Sequence, residues 1–464
     1  MFKFRSKERR IFSSRKRKRR NAFGLWAIAS LLLFLLVLEL LTRIFVDLSG
    51  NRDEFATADM ESEMARAYQL NFVGESQINS DADSEGLKAK PSLGGGYELV
   101  GDQESQYWQI NPQGFRDRDP VPLIKPKDEI RIFLLGGSTA FGYGSPDNTA
   151  TISEYLEQRL QQRLQQQQNS PQLYKPDVLP SNPEQRKKSL AKPSKIKPGN
   201  YRVINAGVPG YASGNELAQL ALKILKYKPD LIVVLDGYPD LMLKGDRQAV
   251  RDPISQTQPD RATDFADYFS QVIKPLESKS YLVQAMQDKW LKNEDSEPKS
   301  VLLNEQTSNL VKYLPSDEAE LQQRVERYLD HHQQILNLSA AAGIPLIVAT
   351  QPEITGRDPS QLTDAEGKIA TELGRTYIQE VRESYPVLID AVEQLANAFP
   401  KNLKAVDLYK LTDKYPSPSF IDPIHLNEAA NQKVAEQLYY AISSFPKMQL
   451  EPKQAPAAVS PRSR

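Results

Sequence analysis

The sequence predicts a three-layer, doubly wound α/β domain on a parallel five-stranded sheet, preceded by an N-terminal transmembrane helix. Three observations carry that expectation. Five short apolar runs alternate with amphipathic helical stretches along residues 126–446, the pattern of a sheet covered on both faces. The first of these runs ends in a glycine-rich turn, where α/β sheets place their ligands beyond the strand ends. Near the N-terminus a long uncharged span follows a dense basic run.

The span comes first in the chain. Residues 1–21 carry eleven Lys or Arg and one Glu, whereas the remainder carries 48 basic and 58 acidic side chains, so a formal net charge of zero conceals a sharp asymmetry. Residues 22–46 are mostly apolar, and roughly 20 such residues suffice to cross a bilayer as a helix. Basic residues before the span place the N-terminus in the cytoplasm and all that follows outside. The expectation is a single-pass membrane protein with an exoplasmic domain, periplasmic in a bacterium. A cleaved signal peptide competes with this reading, but no small-x-small cleavage site follows the span. The acidic remainder, without a basic patch, excludes nucleic acid as a partner. The absence of cysteine excludes disulfides, thiolate catalysis and cysteine metal sites.

Residues 47–125 read as a stalk and an approach segment, whose stretch YWQINPQGFRDRD (107–119) is rich enough in aromatic and turn residues to pack against the domain. RIFLLGG (131–137) is the first strand and its turn. A helix starts near Thr151, with Glu154 at capping-box spacing. Residues 162–200, with a glutamine run and many prolines, read as a flexible insertion. YRVINAG (201–207) is the second strand, followed by a helix capped by Ser213 with Glu216, and DLIVVLDG (230–237) is the third. Residues 242–315 read as a second insertion or lid. A long helix from Asp317 to Ala342 leads to the fourth strand, IPLIVAT (344–350). Another helix, boxed by Thr363 and Glu366, precedes the fifth, LKAVDLY (403–409). The last helix runs from Asn427 to Phe445, and 447–464 read as a disordered tail.

Only three histidines exist. His331 and His332 are adjacent on a helix and point in different directions. His425 lies in FIDPIHLNEAA, three residues after Asp422. A carboxylate and an imidazole on one turn can orient a general base, and Ser138, directly after Gly136 and Gly137, is a nucleophile such a base could activate. A phosphate loop is the competing reading of GGSTAFGYG, but the lysine it needs is missing.

Together, LLGGSTAFG, NAGVPG and DPIHLN, in this order at successive strand ends, resemble the SGNH (GDSL-like) hydrolases, over roughly residues 128–445. The resemblance implies Ser138, Asp422 and His425 as the triad, with oxyanion donors at the N–H groups of Ser138 and Gly207. It implies neither cofactor nor metal. Where the family has Gly-x-Asn-Asp, this chain has Gly237-Tyr238-Pro239-Asp240, so the asparagine donor is replaced by a residue without an N–H. Asn205 or a residue of an insertion is the candidate substitute. Tyr143, Tyr211, Tyr238, Glu353 and Arg357 are candidate substrate contacts. The expected function is a serine esterase acting through an acyl-enzyme on an O-acyl ester of an exoplasmic glycan or lipid. An O-acyltransferase with the same triad and a non-catalytic envelope module are the alternatives. Protein partners are left open.

Overall fold

The structure, a computed structural model, describes residues 63–73, 86–92, 96–243, 307–411 and 418–454. The segment expected to cross a membrane, residues 22–46, lies outside these, as does most of the expected lid. Among the described residues no helix is long and apolar enough to cross a membrane. The expectation of a membrane-anchored, single-pass protein with the bilayer as a partner is corrected accordingly: no spanning helix is found.

The first strands belong to the stretch expected to be a stalk. β1 (Leu70–Phe72), β2 (Leu87–Ser92) and β3 (Gly96–Leu99) form a small sheet, and β4 (Gln103–Glu104) pairs with β5 (Gln109–Ile110). Leu87, Ala89, Tyr97 and Leu99 are buried, so this segment has an apolar face that period-two alternation encodes only weakly over such short runs.

The main sheet is parallel throughout. Its strands are β6 (Glu129–Gly136), β7 (Asn200–Asn205), β8 (Leu231–Asp236), β9 (Leu346–Thr350) and β10 (Leu403–Asp407), in the order β10-β9-β8-β6-β7. Every residue of β8 and β9 is buried, which is why these runs are continuous rather than alternating. Register pairs Leu134 with Asn205, Gly136 with Leu235 and Asp236 with Thr350, so all five carboxyl ends meet at one edge.

Helices cover both faces. The short helix α1 (Ser138–Phe141) follows β6, and α2 (Ile152–Asn169) packs against β7. A surface helix, α3 (Pro183–Leu190), comes next. α4 (Ser213–Gln219) and the one-turn α5 (Tyr238–Met242) follow β7 and β8. The long helices α6 (Glu318–Ala341) and α7 (Asp364–Ala398) pack on each other, while α8 (Glu428–Ser443) packs on α2. The caps at Thr151 and Thr363 are present as the sequence predicts, and Asp317 and Asn427, where the sequence starts two further helices, also act as caps.

Three local expectations need correction. The glutamine run does not interrupt α2, because glutamine is a good helix former. Gln167 turns inward and exchanges hydrogen bonds with the backbone of Ile196 (2.8 and 3.2 Å). The start of the expected tail is also tied down, by Leu450 N–H on Lys195 O and Lys453 N–H on Asp177 O (both 2.8 Å). Ser213 does not cap α4: its hydroxyl is taken by Asp240 and His331, and Ala212 is the cap residue.

Candidate active site

The turn after β6 is built for close approach. A Cβ at Gly136 (φ 147°) would stand 2.2 Å from Leu235 O and 2.6 Å from Ala140 Cβ, so only glycine lets the chain reverse into α1 here. That reversal puts Ser138 at the first position of α1, where its own N–H has no intrahelical acceptor. Ser138 is 3 % exposed.

His425 arrives on the loop between β10 and α8. Asp422 shapes that loop: one carboxylate oxygen accepts from the N–H groups of Ile424 (3.0 Å) and His425 (2.8 Å). The other oxygen meets His425 Nδ1 in a very short contact. A carboxylate can only accept, so Nδ1 carries the proton and Nε2 is left as a base. Nε2 lies 2.7 Å from Ser138 Oγ, across 287 residues of sequence. Burial alone would raise the Asp422 pKa. The His425 imidazole and the two backbone N–H groups outweigh it, holding the carboxyl below its ordinary value. Tyr143 stacks on the imidazole, with centroids 4.4 Å apart and planes at 26°, and fixes its face. Burial, then the charges of Asp422 and Tyr68, keep the Tyr143 phenol well above its usual pKa, so it stays neutral.

The structure brings Ser138, His425, Asp422 and Tyr143 together, but it gives other sequence candidates different work. The Gly207 N–H is already committed, donating to Asn205 Oδ1 at 3.0 Å. The Asn205 amide donates to the carbonyls of Ala140 and Phe141 (both 3.1 Å) and to Ser153 Oγ (3.2 Å). Both residues therefore lock β7 onto α1, and neither is left as an oxyanion donor. Tyr211 donates to Tyr97 O, and Tyr238 accepts from Tyr377 OH at 3.1 Å. Glu353 accepts from Thr355 N–H (2.7 Å) and Tyr377 OH (3.1 Å), and burial pushes its pKa up to about 7. Arg357 pairs with Glu366 (3.4 Å) and donates to Ser419 Oγ (2.9 Å). These four side chains are 0–2 % exposed and brace the strand-end loops from within. Pro239 lies beside the turn before Ser138, its Cγ 3.6 Å from where a Cβ of Gly137 would be.

Gly210 is a further residue of this edge, outside the sequence-predicted set. Tyr211 N–H returns to Val208 O at 3.1 Å, and Gly210 has φ 86°, so Val208-Pro209-Gly210-Tyr211 is a type II turn. Tyr97 OH holds Pro209 O at 2.6 Å. Because the peptide is trans, the Gly210 N–H points the opposite way, and it has no hydrogen bond among the described residues. A Pro-Gly pair three residues after a strand was the available signal.

A second buried polar group lies under β8. Tyr328 OH donates to Asp236 Oδ1 (2.7 Å), His332 Nε2 is 3.2 Å from Asp236 Oδ2, and Glu216 is fully buried nearby. Among the described residues no cluster of His, Asp and Glu is arranged to hold a metal ion.

Residues 132–438 match the model of the GDSL-like lipase/acylhydrolase family. The chain belongs to this family. Membership gives it catalytic potential as a hydrolase of ester substrates. No curated protein matches the chain. Solved structures similar to it include an alpha/beta hydrolase from the metagenome of Lake Arreo, 13 % identical over 67 % of this chain and 94 % of that one, TM-score 0.32. A lipase/acylhydrolase from Enterococcus faecalis is 15 % identical over 70 % and 100 %, TM-score 0.33. A catalytic mutant of an acetylxylan esterase from Geobacillus stearothermophilus is 12 % identical over 69 % and 96 %, TM-score 0.33. At these scores the likeness carries no argument about activity.

Proposed function

We propose that this GDSL-family member is a serine esterase working through an acyl-enzyme on Ser138. The observation that carries the reading is the 2.7 Å contact between Ser138 Oγ and a His425 Nε2 whose Nδ1 proton is committed to Asp422. In the first step His425 takes the Ser138 proton as Oγ attacks the ester carbonyl, and it then returns that proton to the leaving alkoxide. Water attacks the acyl-enzyme in the second step, with the same base, and frees the acid. Asp422 holds the tautomer and balances the imidazolium. The N–H groups of Ser138 and Gly210 are the proposed backbone donors to the oxyanion, Gly210 taking the place expected of Gly207. The proposed substrate class is an O-acyl ester of a glycan or lipid, supported by the lipase and acylhydrolase character of the family.

Fluorophosphonate labelling tests the mechanism. The parent protein should label, Ser138→Ala and His425→Ala should not, and Asp422→Asn should label about 10⁴-fold more slowly, the scale seen when the tautomer is lost in a related triad. Labelling that survives in Ser138→Ala would sink the reading. A screen of acetylated glycans and acyl lipids, with and without alcohol acceptors, then tests the substrate class.

A further inference from the structure

Pro239 stands where the family places a side-chain amide donor, and it offers neither an amide nor an N–H. The nearest replacement by sequence, Asn205, spends its amide on α1 and Ser153. One other buried primary amide reaches the nucleophile helix. Gln351 follows β9, which lies beside β8, the strand that leads to Pro239, and is 1 % exposed. Its backbone is pinned on both sides: its N–H donates to Asp236 O (2.8 Å), and its carbonyl accepts from Tyr385 OH (3.2 Å). Its Nε2 crosses to Thr139, the residue directly after Ser138, and donates to Oγ1 at 3.2 Å. Thr139 Oγ1 in turn donates to Ile424 O (3.3 Å), next to His425. A primary amide carries two N–H groups, and among the described residues this one uses a single N–H, on Thr139.

We propose that Gln351 supplies the side-chain donor that Pro239 removes. Thr139 aims the amide, and its second N–H meets the oxyanion that forms on Ser138. The proposal rests on the serine-esterase reading above. It explains how the family fold can tolerate proline in the third block: the donor comes from the loop after the neighbouring strand.

The test uses the full chain, p-nitrophenyl acetate as probe, and the fluorophosphonate labelling rate as a second readout. Gln351→Leu and the isosteric Gln351→Glu should each lower kcat about 100- to 1,000-fold, the cost of one lost oxyanion donor, with KM within about threefold. Pro239→Asn introduced into Gln351→Leu should recover at least about tenfold, because it restores a donor at the family position. Thr139→Val, which keeps the amide and removes only the hydroxyl that aims it, should cost less than Gln351→Leu. Melting curves show whether each variant is folded. Gln351→Leu or Gln351→Glu, folded and within threefold of the parent, would overturn the proposal. A Thr139→Val loss equal to that of Gln351→Leu, with no recovery from Pro239→Asn, would also overturn it, leaving Gln351 as a brace. Failure of the underlying reading is recognised separately: Ser138→Ala would keep its turnover, or the parent would not label.

Discussion

Removing the guanidinium of Arg116 should both loosen the domain and slow its nucleophile. Arg116 lies in the approach segment, is 3 % exposed, and has its own N–H on Asn205 O (3.0 Å). Its side chain donates to Phe141 O (3.0 Å) and Gly142 O (2.7 Å), carbonyls at the end of α1. It also reaches Tyr68 OH (2.9 Å), Tyr107 O (2.8 Å), Asp147 O (3.2 Å) and Asn148 Oδ1 (3.0 Å). Charge-assisted bonds of this kind contribute about 1.5–3 kcal/mol each, but they are not additive and burying the cation offsets much of the total. Leaving a buried acceptor unpaired costs about 1–3 kcal/mol. Arg116→Met keeps the stem but takes a donor from Tyr107 O and Asp147 O, while Phe141 O and Gly142 O keep other donors, so we take about 3–5 kcal/mol for the variant. At the lower end of the size scaling, about 2 °C per kcal/mol, the melting temperature should fall by roughly 6–10 °C. Because α1 carries Ser138 at its other end, a shift near 1 Å should also slow fluorophosphonate labelling about 100-fold. Arg116→Lys, a single-point donor, should fall between the two. The assays are thermal unfolding by circular dichroism and the labelling rate. Arg116→Met melting within 2 °C of the parent and labelling at the parent rate would refute the argument that the approach segment holds the nucleophile helix.

Two further outcomes follow from the same packing. Gly207→Ala would put a Cβ 2.5 Å from Phe141 N and 2.9 Å from Ala140 C, both backbone atoms of α1. Overpacking of that kind costs about 1–3 kcal/mol, and a drop in both melting temperature and labelling rate is expected, whereas loss of labelling without loss of stability would return Gly207 to the oxyanion site. Glu353 has its pKa raised to about 7 by burial, so between its unfolded value of 4.5 and about 7 the folded state holds the extra proton. Stability therefore declines as pH rises through that window, and the melting temperature of Glu353→Gln should exceed that of the parent by more at pH 7.5 than at pH 5. A constant difference across this range would contradict it.

How legible the molecule was depended on where each signal resides. Strands β6, β8 and β9 are buried on both faces, so their apolar runs were unambiguous, and the caps at Thr151 and Thr363 could be read because capping is a local bond between residues three apart. Asp422 and His425 were legible for the same reason. What failed was anything decided by a distant competitor. Gly207 and Gly210 look equivalent in NAGVPG, and only the Asn205 side chain turning back on Gly207 and Tyr97 gripping Pro209 tell them apart. Ser213 has the right spacing to cap α4, but Asp240, 27 residues on, claims its hydroxyl. Tyr211, Tyr238, Glu353 and Arg357 stand near strand ends where ligands bind, yet each has its polar group bonded inside the protein.

The buried charges beneath β8 then acquire a purpose that stability alone does not give them, since a buried ion pair rarely outperforms packed apolar side chains. Asp236 is at the end of β8 and would be driven up by burial, but His332, Glu216 and Tyr328 hold its pKa down. Glu216 answers in the opposite direction: burial first, then the Asp236 charge, raise its carboxyl well above the ordinary value. Asp240, raised to about 6 by burial and by Asp236, takes Ser213 N–H at 3.0 Å as well as its hydroxyl. The cluster thus ties α4, which follows the Gly210 turn, to α5, which carries Pro239, and both to α6. An apolar core would hold these elements together as strongly without fixing their register. Directional bonds from Ser213 to Asp240 and His331, and from Arg327 to Asp240 O, fix it, and the two loops so held flank the proposed site of the Ser138 oxyanion.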